Sequence, residues 1–279
     1  MQIGVNLMLW TGCYTPKDVK LIDKVGKLGF DGVEFPMFDP AQVDVKGTRK
    51  ALEGNGLGGT VCTVLVTGSF ISSSPADRKK AVDHVTKVLK VSKAVGMESV
   101  AGPLYSPVGY LTDRGPNAAE WKNAVKCLKQ VAKVAEDLDL PIGIEAINRF
   151  ETYFLNTQAD AAKLCQEIGS DYVGVHYDTF HANIEERDPV AALKAIGSKW
   201  LKHVHASEND RGVPGTGHVP WDETFKTLKA LKYDGWINIE SFLPAIKELA
   251  RAASIWRPLA RSGDDLATRG LKFLRKYVK

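Results

Sequence analysis

The sequence predicts a (β/α)8 TIM barrel, and three observations carry that reading. Eight short apolar strand candidates recur along 279 residues, and segments with helical periodicity lie between them. That length suits a single α/β barrel, which typically takes roughly 250 residues. No Pro/Gly/Ser-rich linker and no shift in composition divides the chain, so residues 1–279 are expected to form one domain. An open doubly wound sheet is the structural alternative.

The strands are read in order at 3–9 (IGVNLML), 31–35 (DGVEF), 59–66 (GTVCTVLV), 98–103 (ESVAGP), 142–147 (IGIEAI), 172–178 (YVGVHYD), 201–206 (LKHVHA) and 236–241 (WINIES). Between them, 16–28, 78–95 and 118–138 repeat apolar residues at three- and four-residue intervals, the spacing of one helix face. The segment from Ala245 reads as a long last helix interrupted around Pro258 to Asp264. VGKLGFDGVEF and LKALKYDGWINIE echo each other, each running from a helix through a turn into a strand that meets a glutamate, Glu34 or Glu240. The echo is what repeated βα units would leave.

Composition narrows the function classes. The 37 basic and 33 acidic residues are spread along the chain for a net charge of +4, without the dense basic block that nucleic acid or a membrane surface would demand. A small-molecule partner is expected, with no nucleic acid and no membrane. No run reaches the roughly 18 apolar residues of a membrane span. Cys13, Cys62, Cys127 and Cys165 are scattered, with no CxxC pair. Together with the lack of a secretory signal, this reads as reduced thiols packed in the core of a cytoplasmic protein.

In a (β/α)8 barrel the working groups stand at the C-terminal ends of the strands. Four consecutive strand candidates end in residues that hold hard or borderline metals. In IGIEAI, Ile142 and Ile144 alternate with Gly143 and Glu145, so Glu145 faces the barrel axis. By the same alternation Asp178 shares a face with His176, His205 with His203, and Glu240 with Asn238. Three carboxylates and one imidazole converging on one mouth would repel without a cation, and this donor set suits Mn2+, Co2+ or Mg2+ better than a thiolate-rich zinc site. Beyond the strand ends, Glu151, His181 and Arg211 stand in the following segments, where they could hydrogen-bond the hydroxyls of a small polyol. Asn148 and Arg149 read equally as supports for Glu145 or as substrate contacts. His203 reads as a hydrogen-bonded interior residue, His84 as the polar side of a helix, and Glu185, Glu186 and Asp188 as a solvated helix start. His218 has no assignment.

The motifs IEAINRFETYFLNT, HYDTFHANIEE, HVHASENDRGVPGTGHVPW and YDGWINIESF resemble the ketose 3-epimerases of the D-tagatose, D-allulose and L-ribulose type, within the xylose-isomerase-like barrels. Softer matches are LMLWTG, GVEFPMFDP, GPLYSPVG and IWR, so the resemblance spans most of the chain. It implies that Glu145, Asp178, His205 and Glu240 bind one divalent metal ion per chain, usually Mn2+ or Co2+, and that Glu145 and Glu240 double as the proton-transfer pair. It also implies substrate contacts by Glu151, His181 and Arg211, and a homodimer or homotetramer. Asn6, placed with the substrate contacts, stands where several members carry an aromatic, and HASEND departs from the commoner pattern after the ligand histidine.

The reaction so implied inverts C3 of a free keto-sugar through a cis-enediolate, with the metal as Lewis acid and one glutamate on each face. The rivals are an aldose-ketose isomerase such as a hydroxypyruvate isomerase, an inosose-dehydratase-like lyase, and a non-catalytic sugar-binding barrel. The last would not require both glutamates. No GxGxxG or GxxxxGK[ST] loop calls for a nucleotide cofactor.

Overall fold

The computed structural model describes residues 1–278, and its eight parallel strands form a closed barrel in sequential order. They are β1 (Gln2–Asn6), β2 (Gly32–Pro36), β3 (Gly58–Cys62), β4 (Ser99–Gly102), β5 (Ile142–Glu145), β6 (Val173–Asp178), β7 (Leu201–Ala206) and β8 (Trp236–Ile239). β8 pairs with β1, Ile237 opposite Ile3, which leaves the sheet without an edge.

Around the barrel run α1 (Lys20–Leu28), α2 (Val45–Asn55), α3 (Pro75–Val95), α4 (Ala118–Leu138), α5 (Gln158–Ile168), α6 (Thr179–Glu185), α7 (Pro189–Trp200), α8 (Trp221–Ala230), α9 (Lys247–Ala252) and α10 (Gly263–Leu274). Capping side chains start many of them. Asn117 caps α4 in a capping box with Glu120, and Ser74, Thr157 and Ser262 cap α3, α5 and α10. None of these helices is long and apolar enough to cross a membrane.

All eight expected strands are present, and several end earlier than expected. β1 stops at Asn6 because the Asn6 side chain accepts from Met8 N and turns Leu7–Leu9 into a 3-10 turn. β8 stops at Ile239, so Glu240 is the first residue past the strand. The last helix is broken over residues 253–262, earlier than Pro258 alone would break it. Ser254 adopts a left-handed φ of 56°, and Ile255 N turns back onto Ala250 O.

The two faces of the barrel wall differ in chemistry. Val33, Val61, Val100, Ile144, Val175 and Ile239 are buried against helix faces such as Ile22 and Val25 of α1 or Val88 and Leu89 of α3. Each such side chain contributes about 1.5–3 kcal/mol on burial. The interior carries Asn6, Glu34, Thr60, His176, His203 and Asn238, all fully buried. Polar side chains therefore replace the branched apolar layers usual for this architecture. At the opposite end Trp236 lies across β2 and β3. A Cβ on Gly32 or Gly58 would sit 2.3 or 2.4 Å from its ring, so both positions require glycine.

His84 departs from expectation. It is only 8% exposed and burial lowers its pKa, so this position belongs to the packed side of α3. All four cysteines are free; Cys62, Cys127 and Cys165 are buried and Cys13 is half-buried.

Candidate active site

β5, β6, β7 and the residue after β8 bring Glu145, Asp178, His205 and Glu240 to one mouth. The four are at most 5% exposed. Glu145, Asp178 and His205 each offer a ligand atom within 4.8 Å of the others. Glu240 Oε1 lies 3.4 Å from His205 Nδ1, and Asp178 Oδ2 lies 3.9 Å from it. His205 Nδ1 itself is buried with no hydrogen-bond partner. A buried, orphaned imidazole nitrogen facing carboxylate oxygens fits a divalent cation of the Mn2+, Co2+ or Mg2+ kind.

The protonation of the cluster follows from its burial. Burial raises Glu145 well above the usual carboxylate value, and Glu240 and Asp178 push the same way against His205 and Arg211. Asp178 is also raised, chiefly by burial. Burial acts to raise Glu240 too, but His205 and Arg211 outweigh it and hold that carboxyl below its ordinary value. Burial acts to lower His205, and Glu34 and Glu240 reverse this to a strongly raised value.

Arg211, His181 and Glu151 complete the site, closer in than a set of solvated loop charges would be. Arg211 is 3% exposed and adopts a φ of 64°. Its loop is pinned by the buried Glu208, whose carboxylate accepts from Gly215 N, Val219 N and Trp221 Nε1 while its carbonyl accepts from Arg211 N. The guanidinium lies over the Phe180 ring at 4.0 Å, and its Nη1 reaches Asp178 and Glu240 directly. His181 lies in α6, where burial, Arg211 and His205 all hold the imidazole well below its ordinary pKa. Its Nδ1 accepts from Asn148 N, and its Nε2 meets the Arg211 Nη2 donor at 3.0 Å and lies 3.7 Å from Glu145 Oε1. Asn148 Nδ2 donates to Glu151 Oε1, so Asn148 supports Glu151 and His181. Arg149 points away and is paired with Glu185, which is thereby a loop tie at α6.

A cavity of about 200 Å3 opens onto these groups. Glu145, Glu151, His181, Arg211 and Glu240 form its polar wall, and Met8, Phe38, Val64, Val108, Phe242 and Leu249 form an apolar one. A roomier cleft of about 490 Å3 lies beside Arg114, Glu120 and Tyr153, but Arg114 and Glu120 there are paired with each other at 2.8 Å. The strand-end carboxylates make the smaller cavity the chemical one.

Asn6 is not part of that cavity. It is fully buried, its amide nitrogen donating to Glu34 and its amide oxygen accepting from Met8 N. His203 is interior, as expected, bonded to Glu34 at 2.7 Å. His218 is exposed on the far part of the Arg211 loop. Sequence reasoning did not name Glu208 and gave no role to Glu34 or His176; Glu34 and Glu208 are fully buried carboxylates, and His176 Nδ1 lies 3.6 Å from Glu145 Oε2 with its ring meeting His205 edge-on at 4.1 Å. For Glu34 the one available signal was its place in DGVEF, matching Glu240 in DGWINIE.

The class defined by this barrel and mouth is the xylose isomerase-like TIM barrel, whose family profile matches residues 22–277. A probable ketose 3-epimerase of Synechocystis sp. is 33% identical over 99% of this chain and 96% of its own length. The ketose 3-epimerase of Arthrobacter globiformis is 32% identical, with 99% and 96% covered. The crystal structure of D-allulose 3-epimerase from Methylomonas sp. in complex with D-allulose superposes with a TM-score of 0.93 at 29% identity, covering 99% of this chain and 97% of that one. The chain belongs to the ketose 3-epimerases, carbohydrate epimerases of the isomerase class.

Proposed function

We propose that the protein interconverts free ketoses at C3, of the D-allulose/D-fructose, D-tagatose/D-sorbose or L-ribulose/L-xylulose type, with Glu145 and Glu240 as the acid-base pair. The observation that carries this reading is geometric: two buried carboxyls, Glu145 at the end of β5 and Glu240 just past β8, reach one cavity from strands that are not neighbours. Two carboxyls that enter a cavity from separate sides can act as base and acid on opposite faces of one bound carbon. One of the two carboxyls takes the C3 proton from one face, and the other delivers a proton to the opposite face. The negative charge delocalises into the C2 carbonyl as a cis-enediolate.

One divalent ion per chain, Mn2+ or Co2+ with Mg2+ as the next choice, would be held by Glu145, Asp178, His205 and Glu240 and would supply Lewis-acid stabilisation of that charge. His181 and the Arg211 guanidinium contact the substrate's oxygens, and Glu151 accepts from a hydroxyl. The apolar wall keeps water from the carbanion. Free rather than phosphorylated sugars are favoured because the charge of Arg211, the one guanidinium or ammonium among the described lining residues, is already balanced by Asp178 and Glu240. The exposed aromatics Phe150 and Trp256 on mouth-side loops support a homodimer or homotetramer, and the free cysteines support a cytoplasmic setting.

The test is incubation of the ion-loaded protein with D-allulose, D-fructose, D-tagatose, L-ribulose and D-fructose 6-phosphate, followed by chromatography. Each free ketose should give its C3 epimer, and the phosphate ester should stay unchanged. An aldose or a dehydrated product would replace this reading with one of its rivals.

A further inference from the structure

Glu34 lies on β2, 171 residues from His205 in sequence, and is fully buried inside the barrel. Five donors meet its carboxylate. Oε1 accepts from Thr60 Oγ1 at 3.1 Å, Asn238 Nδ2 at 2.8 Å and His203 Nε2 at 2.7 Å. Oε2 accepts from Asn6 Nδ2 at 2.8 Å and His205 Nε2 at 2.6 Å. No lysine or arginine is among these partners, so the two imidazoles and the amides supply its compensation.

Two sets of imidazole–carboxylate contacts therefore share the His205 ring, and their lengths differ in meaning. Contacts of 2.6–2.7 Å to Glu34 have room for a proton between the heavy atoms and none for a metal ion. On the other side of the ring, Nδ1 stands 3.4 Å from Glu240 and 3.9 Å from Asp178, with no hydrogen-bond partner. Which imidazole nitrogen carries the proton is decided by the hydrogen bond the ring makes, and outer partners of this kind orient metal ligands. Asn6 and Asn238 hold Glu34 in turn, and a Cβ on Gly4 would come 2.0 Å from Asn238 Oδ1, so the support leaves no slack there.

We propose that Glu34 is a positioning residue: it fixes the His205 ring with its proton on Nε2 and so presents the Nδ1 lone pair to the divalent ion at the mouth. This rests on the reading of His205 as a ligand. It also gives Asn6 a role, as a support of Glu34 rather than a substrate contact.

The test uses binding rather than turnover. Mn2+ affinity is measured by calorimetry for the wild-type chain, Glu34→Gln, Glu34→Asp and His205→Ala, with circular dichroism to confirm folding. Glu34→Gln turns an acceptor oxygen into a donor facing the imidazole and amide donors, so its Kd should weaken by about 10–100-fold. Glu34→Asp, which keeps the carboxylate, should recover part of this. If His205→Ala loses the ion and Glu34→Gln keeps wild-type affinity, the proposal falls and the ligand set stands. If His205→Ala also keeps wild-type affinity, both fall. A readout that needs no variant is 15N NMR of the Mg2+-loaded wild-type chain. The His205 proton should correlate with Nε2, and a proton on Nδ1 would overturn the proposal.

Discussion

Arg211 Nη1 donates to Glu240 Oε2 at 2.6 Å and to Asp178 Oδ2 at 3.0 Å, so a single guanidinium nitrogen bridges two of the carboxylates assigned to the ion. Removing one member of a buried ion pair strands the others, at a cost of about 3–5 kcal/mol. Arg211→Ala should therefore lower the melting temperature of chelator-treated protein, retain ion binding, and show a larger rise in melting temperature on adding Mn2+ than wild type does. Differential scanning calorimetry with and without Mn2+ decides this. An equal rise in the two proteins would mean that the guanidinium does not compensate these carboxylates.

Ion binding should be linked to protons. Glu145 and Asp178 are raised above their ordinary values of 4.5 and 3.8, chiefly by burial, and His205 is raised above 6.5 by Glu34 and Glu240 against its burial. A group with a raised pKa still holds its proton where a free one has lost it, and an arriving cation must displace that proton. Mn2+ affinity should accordingly increase as pH rises through and above the ordinary histidine value. Calorimetric heats should differ between buffers of different ionisation enthalpy. Identical heats in phosphate and Tris would show that no proton leaves.

Asp178→Ala and His205→Ala should empty the ion site, whereas His181→Ala should keep the ion and raise KM. The distinction follows from position. Asp178 faces the orphaned Nδ1 of His205 across a 3.9 Å gap, while His181 reaches the cavity from α6. Metal analysis after dialysis separates the two sets, and equal loss in all three variants would contradict the division.

Much of this arrangement was legible in the sequence because it is local. Strand alternation alone puts Glu145, Asp178, His205 and Glu240 inward, and barrel order alone brings four successive strand ends together. What was not legible depends on distance across the barrel. Glu34 meets His203 and His205 over 169 and 171 residues, and no spacing rule within β2 announces a partner on β7. Asn6 fell on the wrong side of the boundary for the same reason, since its partner Glu34 is known only once β1 lies beside β2. His84 was misplaced because periodicity locates a face but not what packs on it. Arg211 was read as a substrate contact a loop's length from the carboxylates rather than paired with them, because a left-handed φ at a non-glycine residue and the Glu208 anchor under its loop have no local signature.

Glu145→Gln and Glu240→Gln should each lower epimerisation by about 10²–10⁴-fold while preserving side-chain shape, since an amide cannot carry the proton. Either variant alone should still exchange the C3 proton of one epimer with solvent, through the carboxyl that remains. Loss of exchange for both epimers in both variants would indicate a role in binding instead.

The central claim, that two carboxyls work on opposite faces of C3, is tested most directly by running the reaction in D2O and locating the label by NMR. A proton taken by one glutamate and replaced from the other puts solvent deuterium on C3 of the product and on no other carbon. Product that carries no deuterium at C3, or carries it at C1 or C2, would contradict the account.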